Sequence, residues 1–141
     1  MKIALKRINK GVHLEATNSE GNKVQIDGAP SIGGEGLGAR PMELLIMGLG
    51  GCSSMDILNI LSKQKVELDD FDIDINAERD TENTPSLFTN IHVIFKFKGS
   101  NLEEKLKKID RAVNLSMDKY CSVTKIMEKT AKITHEIVIE A

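Results

Sequence analysis

The run Pro41-Met42-Glu43-Leu44-Leu45-Ile46-Met47-Gly48-Leu49-Gly50-Gly51-Cys52-Ser53-Ser54-Met55-Asp56-Ile57-Leu58 is apolar on nearly every side over its first two turns. Proline is tolerated at a first helical position because the N–H it lacks would have no intrahelical partner. A helix apolar all round belongs in an interior, so residues 41 to about 65 are expected to form a long buried central helix. Glycines at 48, 50 and 51 interrupt it. Each costs about 1 kcal/mol against alanine inside a helix. Their presence therefore predicts close approach of another backbone, or a local break. Cys52 follows on this thinned patch, where small neighbours leave its sulfur reachable. Chemistry is sought there first.

The 141 residues suit one domain, 1–141, with a single core. Nineteen basic residues face 21 acidic ones, with no basic run and no aromatic-basic interleaving, which argues against a nucleic-acid partner. The first residues lack the apolar run of a signal peptide and no stretch reads as a membrane span, so no membrane association and a cytoplasmic location are expected. Thiols stay reduced in that compartment. The two cysteines are then either inert buried groups or a redox pair.

Residues 2–8, 12–16 and 23–27 alternate apolar and polar positions between turn signals, a three-stranded meander with one apolar face. The glycine-rich segment 28–40 has no Walker spacing and reads as a mobile connection. After the central helix, Phe71 to Glu78 alternates with period two, its carboxylates forming a solvated strand face rather than a calcium loop. Leu87 to Lys98 is a longer strand. Ser100 and Glu103 have capping-box spacing ahead of an amphipathic helix through Leu102, Leu106, Ile109, Val113 and Met117. Ser122 is expected to cap a short further helix, and residues 132–140 close the chain as a strand. The fold class is α+β, in the order βββ-α-ββ-α-α-β.

His13, His92 and His135 fall in separate strands without metal-ligand spacing, so neither metal nor cofactor is expected. A thiol reacts as thiolate, favoured by a helix start or a cation. Cys121, beside Lys119 at an expected helix start, meets that condition. Cys52 lies mid-helix, with Asp56 one turn later setting a negative charge beside it. Glu43, nine residues before Cys52, lies about 180° round the helix at roughly 100° per residue. A working thiolate at Cys52 needs a cation from elsewhere in the fold, with Arg79 and then Arg40 as candidates.

Pro41-Met42-Glu43-Leu44-Leu45, Gly50-Gly51-Cys52, Glu78-Arg79, Phe88-Thr89-Asn90-Ile91 and Lys119-Tyr120-Cys121-Ser122-Val123-Thr124 together resemble the OsmC/Ohr family, the osmotically inducible and organic-hydroperoxide-resistance proteins. The resemblance spans nearly the whole chain. It implies antiparallel sheets with a long buried central helix, in an intertwined homodimer. It also implies thiol-dependent reduction of organic hydroperoxides. Cys52 would match the attacking cysteine and Cys121 the resolving one, with a dithiol as reductant. Peroxidase members carry a glutamate directly after the proline, where this chain has Met42, and an arginine in an N-terminal turn that has no counterpart here. The chain resembles a divergent OsmC-like branch, and a dimeric small-molecule-binding protein without peroxidase activity stands as the alternative.

Overall fold

The computed structural model describes residues 1–141, in the order β1 (Ala4–Arg7), β2 (Leu14–Thr17), β3 (Lys23–Ile26), α1 (Pro41–Lys63), β4 (Asp70–Arg79), β5 (Phe88–Lys98), α2 (Leu106–Leu115), α3 (Ser122–Met127) and β6 (Lys132–Glu140). This is the α+β order read from the sequence. The chain divides into two compact units, Met1–Met47 and Gly48–Ala141.

Helix α1 runs unbroken through its three glycines. The expected backbone approach is not found either: a Cβ on Gly50 would meet only the Ile75 side chain, at 3.1 Å from Cδ1, and Gly48 and Gly51 face open space. The helix is not buried all round. Leu49, Ser53, Ile57 and Leu61, spaced four apart, form one buried stripe, while Leu45, Met47, Met55 and Leu58 are exposed, Met55 at 72%. A four-residue spacing advances about 40° per step, so the stripe covers only part of the circumference. By length and composition alone α1 is apolar enough to cross a bilayer; a core helix of a soluble protein has the same composition.

The Gly48–Ala141 unit builds its core on β5. Its alternate residues Ile91, Val93, Phe95 and Phe97 are buried, as are Leu102, Ile109, Val113 and Met117. Fully burying one such side chain stabilises by about 1.5–3 kcal/mol. The acidic strand β4 keeps Asp70, Asp72 and Asp74 in solvent, and Lys96 pairs with Asp74. The sheet order is β4-β5-β6, antiparallel between β4 and β5 but parallel between β5 and β6. The all-antiparallel expectation fails here because the two helices between β5 and β6 form a crossover, which returns the chain in the same direction.

The expected capping box is absent. Asn101 takes a left-handed φ of 58°, no side chain caps the turn, and residues Leu102–Lys105 form a 3-10 turn before α2. That turn advances about 120° per residue instead of 100°. Within α2, Leu106, expected in the interior, is 47% exposed at the first position of the helix, and Ala112 is buried beside Ile109 and Val113.

In the Met1–Met47 unit, β1, β2 and β3 form the expected antiparallel meander. Register places Leu5, Ala16 and Val24 across from one another, with Leu14 opposite Ile26, giving one apolar face. Leu5 and Val24 on it are 56% and 45% exposed. The segment after β3, expected to be mobile, is fastened. The buried Asp27 carboxylate accepts backbone N–H bonds from Gly28 (2.8 Å), Glu35 (3.0 Å) and Leu37 (3.1 Å). Ala39 pairs back onto Ile26, and Gly38 passes so near Gln25 that a Cβ would fall 2.4 Å from its carbonyl carbon.

The N–H donors from Glu35 and Leu37, ahead of the opposing effect of desolvation, hold the Asp27 carboxyl below its ordinary pKa. A depressed folded pKa makes its stabilisation fully present above the unfolded value of about 3.9 and lost as pH falls through the folded value. Asp27→Asn turns an amide NH2 toward these donors and is expected to destabilise at pH 6. Urea melts of both proteins should show the gap narrowing as pH drops from 4 toward 2; a pH-independent gap would remove this role for the charge.

Candidate functional site

Cys52 and Asp56 lie one turn apart on α1, at the flank of its buried stripe. Both are half-buried. On the crossover, α2 ends in a π-turn at Ser116–Tyr120, where the Cys121 N–H donates to Ser116 O at 2.8 Å. Such widened turns recur at functional sites because they re-aim the residues that follow. Here the turn delivers Cys121 to the start of α3, fully buried at 0% exposure. Cys121, rather than the expected Ser122, caps α3: its sulfur accepts the Thr124 N–H at 3.4 Å.

The two free thiols and the Asp56 carboxylate converge, with their donor atoms all within 4.8 Å of one another. The buried hydroxyl of Ser116 is shared between Ser53 O at 3.1 Å and Asp56 Oδ2 at 3.2 Å, which ties the carboxylate to the crossover. Burial pushes the Cys121 thiol above its ordinary pKa; the Thr124 hydrogen bonds oppose this, and the neighbouring Cys52 adds to it. The expectation of a favoured thiolate at Cys121 is thus reversed. The Lys119 ammonium lies over the Tyr120 ring, 5.3 Å from its centroid. A depression of ≈ 400 Å³ opens beside the cluster, lined by Asp56, Asn59, Ile60, Lys63 and Tyr120.

The other expected residues are engaged locally. Arg79 donates from Nε (3.1 Å) and Nη2 (2.9 Å) to Ser86 O, closing the β4–β5 turn. Glu43 accepts the Arg40 N–H at 2.8 Å and finishes the first turn of α1. His92 meets Thr134 and Glu136 on exposed strand positions, and His13 meets Gln25. Ser116 and Lys63 carry no sequence signal; only the tertiary fold brings them to Asp56 or its depression.

The model of the OsmC-like protein family matches residues 34–136, the span that carries both cysteines and the helix between them. The chain belongs to the OsmC-like family. Protein YhfA of Escherichia coli strain K12 is 34% identical over 137 residues, covering 94% of this chain and 93% of that protein. A hypothetical protein from Aquifex aeolicus VF5 has the same fold, with a TM-score of 0.78 and 29% identity over 99% of this chain and 97% of that one. The organic hydroperoxide resistance protein OhrB of Bacillus subtilis superposes with a TM-score of 0.61 at 16% identity, covering 96% of each chain, a likeness of fold.

In this OsmC-like chain the thiols differ in access. Iodoacetamide on the native reduced protein is expected to label Cys52 first and Cys121 only as fast as α3 opens. Peptide mapping by mass spectrometry reads both rates. Equal rates would contradict the burial of Cys121.

Proposed function

We propose that the protein is a thiol-dependent peroxidase for organic hydroperoxides, acting in the cytoplasm as a homodimer. The observation that carries this is the convergence of two free thiols of unequal access, Cys52 half-buried and Cys121 buried. The Cys52 thiolate attacks the distal peroxide oxygen, the O–O bond breaks, and the alkoxide leaves and takes a proton as the alcohol. Cys52 is then a sulfenic acid. The Cys121 sulfur displaces its oxygen as water, forming the disulfide, and a dithiol reductant restores both thiols while becoming a disulfide itself. The sulfurs must close to about 2.05 Å, so this scheme requires a local movement of α1 or of the Cys121 junction.

Cumene hydroperoxide is expected to convert the reduced protein to an intramolecular Cys52–Cys121 disulfide. Cys52→Ser should abolish turnover, and Cys121→Ser should leave Cys52 accumulating added oxygen mass. If neither thiol changes state at millimolar peroxide, the enzyme reading fails. The second reading, a dimeric small-molecule-binding protein without this activity, is favoured by the engagement of the Arg79 guanidinium, the first candidate for activating Cys52, with Ser86 O in the β4–β5 turn.

The homodimer is supported by two apolar surfaces: the face of α1 with Met47, Met55 and Leu58, and the sheet face with Leu5 and Val24. Apolar surface of this kind marks an interface, and a second copy would take the outer face of α1 into a shared core. Sedimentation at micromolar concentration should give twice the 15.5 kDa chain mass. A monomer there would exclude the arrangement.

A further inference from the structure

A redox pair needs two sulfurs. The structure brings a third donor, Asp56, to the same point, and the Ser116 hydroxyl orients that carboxylate through one oxygen while leaving the other free. We infer that Cys52, Cys121 and Asp56 form a binding site for a thiophilic divalent cation of the zinc type, with the fourth position open to water or an exogenous ligand. Sequence spacing hides this site, because its ligands come from α1 and from the far end of the crossover.

The geometry suits such an ion. Tetrahedral zinc has bonds of about 2.3 Å to thiolate and about 2.0–2.2 Å to carboxylate oxygen. Those lengths set ligand atoms about 3.5–3.8 Å apart. The donor atoms here all lie within 4.8 Å of one another, so a small contraction completes the site. Two thiolates and a carboxylate carry three negative charges, and a bound dication offsets two of them, which relieves the repulsion among the three donors. Calcium and magnesium require about six or more oxygen ligands, which this sulfur-rich set does not supply. Ser116, anchored on Ser53 O, stands where a supporting hydrogen bond to a ligating carboxylate belongs. Metal occupancy and the disulfide are mutually exclusive, since the disulfide removes both thiolate donors.

The test uses the reduced full-length protein under anaerobic conditions with no peroxide present, so it stands or falls independently of peroxidase activity. Titration with Co²⁺ is expected to saturate at one equivalent per chain. Thiolate-to-cobalt charge-transfer bands should appear in the near ultraviolet, with tetrahedral d–d bands in the visible, and Zn²⁺ should bleach both. Bound Zn²⁺ should slow iodoacetamide labelling of Cys52. Ser116→Ala is expected to weaken Zn²⁺ affinity by about 10-fold or more. Asp56→Asn should weaken it further while the charge-transfer bands persist at high cobalt. Absence of a charge-transfer band in the wild-type protein at stoichiometric cobalt would overturn the site. So would an affinity unchanged in Asp56→Asn, which would mean that the dithiol alone captures metal.

Discussion

The buried stripe of α1, Leu49-Ser53-Ile57-Leu61, fixes most of what matters in the Gly48–Ala141 unit. Hydrophobic burial along that line sets the rotation of the helix, and the rotation decides where every other side chain points. Cys52 and Asp56 come one residue before Ser53 and Ile57, so each sits about 100° back from the stripe, at the boundary between interior and solvent. The sulfur is therefore partly reachable without being free. A single register shift of the helix would either bury it or turn it outward.

The crossover supplies the other half of the cluster. A widened turn at Ser116–Tyr120 breaks the α-helical phase and turns Cys121 inward as the cap of α3. Low polarity there keeps this sulfur protonated, while Ser116 holds Asp56 against the same wall. Burial is thus divided unequally between two thiols whose sulfurs lie within 4.8 Å of each other.

Period-two alternation located all six strands, and the mass of apolar residues after Pro41 located α1. Both signals are local, which is why they survive without tertiary information. The details that failed depend on neighbours distant in sequence or on backbone geometry. Composition marked 28–40 as glycine-rich, but the backbone donors that Asp27 gathers were invisible. The left-handed Asn101 displaced a capping box that Ser100 and Glu103 had the right spacing to form. Cys52 and Cys121 were legible through their resemblance to a family pattern. The tie from Ser116 to Asp56 spans 60 residues and leaves no periodic trace.

The parallel pairing of β5 with β6 places Cys121 deep in a long excursion of the chain, about 70 residues after Cys52. A covalent link between them would close a loop of that size. In the chain-entropy account such a ring removes on the order of 4 kcal/mol of freedom from the unfolded ensemble. Thiol oxidation then acts on folding as well as on chemistry. The surrounding thiol–disulfide poise would select between two chains of identical sequence and unequal resistance to unfolding.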